Sequence, residues 1–327
     1  MKFRTEIAYG KGEIVFRPEK PLILTGSCFA DNMGRRMRES LWDARNPLGV
    51  LFNPLSIARV LELMLFDTDA ESRFADSLFE SGSIWHSWLF DSSFSSLSRG
   101  EAVDKFLTAR DIVTTGIEKS SVLAVTFGTA YCYWLRDNVS QHNGTATGGI
   151  VANCHKQPSA MFSRRRVASE EITGVWKRLA GRLCERYPGM KIMFTVSPVR
   201  HVRDGLHENN LSKATLLLAV DSLCRDLDYC HYFPAYEIVN DDLRDYRFYA
   251  ADLVHPSETA VDYIWEIFTQ SCLDDDGRRF IKEGASIARR MNHRPILSAG
   301  EAAEKFREET RRMYDDFKAR YPECLRI

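Results

Sequence analysis

No stretch of the 327-residue chain reaches the roughly 18 consecutive apolar residues of a membrane-spanning helix, so no membrane span is expected. An apolar h-region is missing from Met1 to Phe16, where charged and apolar residues alternate, so no secretory signal is expected there. Cysteine pairs are absent: the eight cysteines stand singly, without a CxxC. That argues against zinc ribbons and dithiol redox motifs, and makes reduced thiols and a cytoplasmic location the expectation. Cys154 and His155 are adjacent, a poor spacing for a tetrahedral metal, and no partner pair stands at finger distance. Neither a metal nor a cofactor is expected. An excess of one charge is lacking too. The 44 Lys and Arg residues nearly balance 45 Asp and Glu, a formal net charge of −1. Such a chain offers no electrostatic footprint for a nucleic acid or an anionic membrane, and Arg164-Arg165-Arg166 reads as a solvated face.

What the chain does have is a strand, a tight turn and a helix start at Leu22-Ile23-Leu24-Thr25-Gly26-Ser27-Cys28-Phe29-Ala30. Phe29, Met33, Met37 and Leu41 follow at i, i+4 spacing and predict a helix with one apolar face. Ser27 thus sits where a strand ends and a helix begins, with a glycine before it to permit a sharp backbone path. The helix N-terminus offers free N–H groups and a positive dipole end, the surroundings an oxygen nucleophile needs. The same pattern is also an ordinary helix cap, since serine is a preferred N-cap residue.

Further along, Lys2 to Phe16 reads as hairpin-like, turning at Gly10-Lys11-Gly12. Asn46 to Asn53 reads as a turn, a short apolar strand and a second turn, and Pro54 opens a helix with Ile57, Val60, Leu61, Met64 and Leu65 on its apolar face. Glu71 to Gly100 is rich in serine and aromatics and reads as irregular, with 84–90 a candidate strand; it is either a cleft wall or aromatic packing onto the core. Helix is expected over 101–118, 169–186, 213–227 and from Ser257. Continuous apolar strands are expected over 121–126 and 191–196, with a shorter one at 131–135 and short strands or turns at 230–234 and 236–239. Asn143-Gly144 marks a loop. Charged helices follow Asp274, with a break near Asn292-His293-Arg294-Pro295. Alternating strand and helix predicts an α/β fold, a parallel sheet covered by helices on both faces. Ligands in such sheets bind at the carboxyl ends of strands, where Ser27, Gly49, Gly128, Thr129, Ser197 and Pro198 are all expected.

A serine nucleophile needs a base and an orienting carboxylate. Asp-x-x-His occurs three times, as Asp204/His207, Asp228/His231 and Asp252/His255. The second leads into a strand and reads as structural; the first follows a strand end and rivals the third. Cys28 is a rival nucleophile, because a thiolate at a helix N-terminus is reactive, but consecutive residues at an elbow cannot both face one cleft. His155, Lys156, Arg200, His201 and Arg247 are cationic or titratable candidates for substrate contact.

Gly26-Ser27-Cys28-Phe29-Ala30 resembles the signature of the GSCFA domain family, within the SGNH/GDSL-like hydrolase superfamily. Asn46-Pro47-Leu48-Gly49, Phe127-Gly128-Thr129-Ala130, Asn153-Cys154-His155-Lys156, Ser197-Pro198-Val199-Arg200-His201 and Asp252-Leu253-Val254-His255-Pro256 resemble its later blocks, in order. The resemblance implies a three-layer α/β/α sandwich, SGNH-hydrolase-like and flavodoxin-like, over residues 1–272. Residues 273–327 are then a helical C-terminal extension on the same domain. It implies Ser27 as nucleophile, His255 as base and Asp252 as its orienting acid, since only that Asp-x-x-His precedes a proline and a capped helix. It also implies an oxyanion hole from the Ser27 and Gly49 amides and a third donor. Where a Gly-x-Asn is expected the chain has Gly128-Thr129-Ala130, so Thr129 or Asn153 must supply that donor. The implied function is hydrolysis of an ester, such as an acylated carbohydrate or related small molecule. An acyltransferase using the same triad is the alternative, and a carbohydrate-binding protein of this fold is the reading from another class. The oligomeric state is not readable.

Overall fold

Three apolar runs without polar alternation form the centre of the sheet: β1 (Leu22–Gly26), β5 (Val122–Phe127) and β9 (Lys191–Val196). Strands buried on both faces need no polar side, which is why they read as continuous. With β2 (Ala44–Arg45) and β10 (Cys230–Tyr232) they make a five-stranded parallel sheet in the order β2-β1-β5-β9-β10. The computed structural model describes residues 4–7, 14–136, 149–293 and 300–324. The Gly10–Gly12 turn, the Asn143-Gly144 loop and the Arg294-Pro295 break lie outside the described residues.

Alternate residues of each strand feed two cores. Ile23, Leu123, Val125, Phe127, Ile192 and Phe194 face one cluster. It is completed by α2 (Pro54–Phe66), α4 (Arg99–Lys119), α5 (Ser169–Arg186) and α6 (Leu206–Asp226). Leu22, Leu24, Val122, Ala124 and Met193 face the other. That side is covered by α1 (Cys28–Arg38), α7 (Glu258–Cys272), α8 (Asp275–Asn292) and α9 (Glu301–Arg320). The protein is therefore α/β with helices on both faces of the sheet. Phe280, Ile281, Ile287 and Phe317 of the last two helices belong to the same core as β1. No helix among the described residues is long and apolar enough to cross a membrane.

The α8 contact is close enough to test. A β-carbon on Gly284 would lie 2.1 Å from the Ser40 carbonyl oxygen, in the turn after α1. Gly284→Ala is expected to lower stability by about 2–3 kcal/mol through overpacking, with one cooperative urea transition. An unchanged midpoint with release of the C-terminal helices by protease would instead make them a separate unit.

Several local expectations are corrected. Leu41 does not extend the α1 face: the helix ends at Arg38, and Leu41 turns the chain at φ 62°. Ala44–Arg45 is the strand there, and Val50 makes only an isolated bridge to Gly26. The 71–100 segment is ordered: α3 (Ala70–Asp76) precedes a hairpin of β3 (Leu78–Ser81) and β4 (Ile84–Ser87). Phe90 and Phe94 then pack on Phe74 and Phe106 in the core, which is the packing alternative. Arg164–Arg166 is exposed but belongs to β8 (Phe162–Arg166), in a small antiparallel sheet with β6 (Tyr131–Leu135) and β7 (Ile150–Val151). Of the two alternatives for 236–239, strand or turn, the chain takes helical turns.

Candidate active site

Ser27 follows β1 as the N-cap of α1, its Oγ accepting a long hydrogen bond from the Phe29 amide at 3.4 Å. Gly26 sits at φ 125°, and a β-carbon there would lie 2.1 Å from the Thr126 carbonyl oxygen. The glycine therefore lets β1 and β5 stay together to their last residues. β1 lies between β2 on one side and β5 on the other, so the strand order switches direction at β1, whose end carries Ser27. Gly128 closes the far wall: a β-carbon on it would be 3.4 Å from Ser27 Cβ. Burial, above all, pushes the neighbouring Cys28 thiol above its ordinary pKa.

The amides beside Ser27 are engaged. Ser27 N–H donates to the Thr126 carbonyl at 3.2 Å, and Gly128 and Thr129 N–H both donate to the Phe52 carbonyl, at 2.7 and 3.1 Å. The Thr129 hydroxyl is buried against Ser212 Oγ at 3.1 Å and accepts from Tyr131 N–H. Gly49, at φ 64°, donates its N–H to no described residue. Its turn is held by Asp91, which accepts from the Val50 amide at 2.8 Å. Asn153 lies on the loop fastened to that same segment. Its Oδ1 accepts from His155 N–H at 2.8 Å, and His155 Nε2 lies 2.8 Å from the Ser87 carbonyl and 3.0 Å from that of Phe90. Two carbonyl acceptors make Nε2 the protonated nitrogen, so His155 staples the loop. Lys156 is exposed at φ 59°.

The second half of the site is the loop before α7. Asp252 Oδ1 accepts from Val254 and His255 N–H, at 2.9 and 3.0 Å. Its Oδ2 lies 2.6 Å from His255 Nδ1. The His255 amide, then its imidazole, then the Val254 amide hold the Asp252 carboxyl down to about 2. Asp252 is therefore ionised at neutral pH, and in the neutral ring the bond makes Nδ1 the donor and leaves Nε2 as the acceptor. The rival pair is not assembled: Asp204 bonds Arg164 at 2.6 Å, and His207 is exposed at the start of α6. His231 lies within β10. The Ser27 hydroxyl and the His255 imidazole are not hydrogen bonded to each other. Asp252 and His255 are each about half exposed, whereas Ser27 is 2% exposed.

His201 stands between these halves. Its ring packs edge-on to Phe52 at 5.8 Å, its N–H donates to Asn209 Oδ1 at 3.0 Å, and His255 acts on it electrostatically. Arg200, one residue earlier, donates to the Tyr249 hydroxyl at 3.0 Å and tethers the loop after β9 to the His255 loop. Arg247 pairs instead with Asp245, at 3.2 Å. Burial, then the Lys213 ammonium, pushes His201 from 6.5 down to about 4. The unfolded chain takes up this proton first, so stability falls as pH drops from 6.5 toward 4. The expected loss from this group is up to about 3 kcal/mol, read as a steeper fall of the urea midpoint between pH 7 and 4.5 in the parent than in His201→Asn.

Three residues were missed in the sequence although their spacing was visible. Asn209, Ser212 and Lys213 share the face of α6 that carries Leu216, Ala219, Val220 and Leu223, and all are buried. Ser212 Oγ receives the Ala130 amide at 2.8 Å, and Lys213 reaches two strand ends. Polar residues in register with an apolar face were the available signal. A cavity of about 760 Å³ lies beside the Gly49 turn, lined by Pro47, Phe94, Leu97, Lys105 and Ile112, and contains neither Ser27 nor His255. No group of three or more His, Cys, Asp or Glu among the described residues could hold a metal ion. The GSCFA family model matches residues 21–268. No curated protein and no solved structure matches the chain.

Proposed function

The chain belongs to the GSCFA family, and from that premise and the geometry of the sheet rim we propose a serine hydrolase acting on ester bonds, an SGNH-type esterase or deacylase. The observation that carries this is the Asp252–His255 hydrogen bond of 2.6 Å, on a loop that Arg200 tethers to the end of β9 in the sheet that also carries Ser27. It fixes the imidazole tautomer in which Nε2 is free to take a proton. Ser27 Oγ attacks the ester carbonyl carbon as its proton passes to His255 Nε2. The departing alcohol takes that proton, leaving an acyl-serine that water, activated by the same imidazole, hydrolyses. For this the His255 loop, exposed and turning through Leu253 at φ 59°, closes on Ser27. The Gly49 amide and the Asn153 side-chain amide are the oxyanion donors this reading favours, because the Ser27 and Thr129 groups already serve carbonyls and Ser212. An alcohol acceptor in place of water makes the same site an acyltransferase, and an acylated carbohydrate is the substrate class proposed.

A fluorophosphonate probe tests the proposal: it should modify the parent at Ser27 and leave Ser27→Ala unmodified. Product analysis with and without an added alcohol separates hydrolysis from acyl transfer. The engaged amides and the unmade Ser27–His255 bond favour one further reading, a carbohydrate-binding protein with little turnover. It predicts that Ser27→Ala keeps the parent's affinity for a sugar ligand while the parent turns over no ester.

A further inference from the structure

Lys213 is among the largest fully buried side chains of the protein, and no carboxylate pairs with it among the described residues. Its Nζ donates to the Gly128 carbonyl at 2.6 Å and to the Ser197 carbonyl at 2.7 Å. Those carbonyls lie just past the last rung between β5 and β9, where Ser197 N–H meets the Phe127 carbonyl at 2.8 Å. Beyond it the two chains part, and without Lys213 both carbonyls would be buried acceptors with no donor. A buried ammonium is a costly way to satisfy them, and burial pushes this one down to about 7. A methionine would fill the same space without that cost, so the donors are what the lysine adds.

We infer that Lys213 is a positioning residue: its ammonium ties the ends of β5 and β9 together and so sets the wall behind Ser27 and the path of the loop that reaches His255. The Gly128 peptide is held from both sides, its N–H on Phe52 and its carbonyl on Lys213, with its α-carbon against Ser27. Ser197 leads directly to Arg200, which grips Tyr249 in the His255 loop. Being buried, Lys213 touches no substrate. Its catalytic consequence rests on the reading of Ser27 as nucleophile; its structural consequence does not.

The test is hydrogen–deuterium exchange on the full chain, parent against Lys213→Met, with fluorophosphonate labelling alongside. In Lys213→Met, amides over 128–131 and 197–201 are expected to exchange at least tenfold faster, while those of β1 and the middle of β5 keep the parent's rates. Labelling of Ser27 is expected to slow at least tenfold below the melting temperature. Unchanged exchange in both segments, or an even rise across the sheet, would overturn the inference. Should Lys213→Met not fold, Lys213→Arg is read the same way. Its retained donors must hold both segments within threefold of the parent, and opening of both would overturn the inference. A parent that takes no label removes the nucleophile reading alone, and exchange still decides the role of Lys213.

Discussion

His255→Ala is expected to slow phosphonylation of Ser27 by at least about a thousandfold at neutral pH, with the fold intact. A serine hydroxyl without a base is a poor nucleophile, and single removals from a working triad cost on the order of 10⁴ to 10⁶ in turnover. The substitution falls on a half-exposed loop residue, so its effect on stability should be small beside its effect on rate. Asp252→Asn should retain the loop, because the side-chain oxygen can still accept the Val254 and His255 amides. It cannot fix the tautomer as the carboxylate does, and a loss on the order of 10⁴ is expected. His201 is the imidazole to compare. It lies nearer the Phe52–Gly128 wall, but burial holds its pKa near 4, which makes it a weak base at neutral pH. If His255→Ala labels normally while His201→Asn does not, the base is His201 and the Asp252–His255 pair is only a loop brace.

The parts of the site that were legible in the sequence are local ones. A strand, Gly26, Ser27 and a helix follow from adjacent residues, and the Asp252–His255 pair closes within one loop, so spacing alone suffices to propose both. The parts that were not legible depend on register between distant segments. Nothing near Thr129 shows that its hydroxyl meets Ser212, 83 positions later in the chain. Nothing near Ser27 shows that its amide turns onto Thr126. These two engagements are why the proposed mechanism favours Gly49 and Asn153 as oxyanion donors. Within 71–100 the candidate strand over 84–90 holds β4, but its partner β3 and the turn joining them were not read. Gly82 and Ser83, at φ 60° and 62°, form that two-residue connection, the turn that Gly-Ser between apolar pairs favours. Serine-rich composition concealed it, because composition reports polarity while a hairpin is set by two residues. The three central strands β1, β5 and β9 were read correctly for the converse reason, as they are apolar and unbroken.

The second large effect expected is on the fold itself. Gly26→Ala should cost at least about 4 kcal/mol, a large part of the 5–15 kcal/mol that holds a typical domain together. Two terms act at one position. The backbone at φ 125° is one that side-chain-bearing residues rarely adopt. The added methyl would also stand 2.1 Å from the Thr126 carbonyl oxygen, and 2.8 Å from its backbone nitrogen. Neither neighbour can yield cheaply. Thr126 is paired in register with both Gly26 and Thr195, and its carbonyl also takes the Ser27 amide. Moving it would open the central strand from both sides and carry Gly128 away from Ser27. Relaxation therefore has to come from β1, whose Gly26 carbonyl holds the Leu51 amide at 2.8 Å and through it the Gly49 turn. Circular dichroism and urea unfolding of Gly26→Ala should show a much lower midpoint, and any folded fraction should label slowly at Ser27. A variant with the parent's midpoint and labelling rate would mean that the end of β1 is free to adopt another path, and that Ser27 is not held by the strand at all.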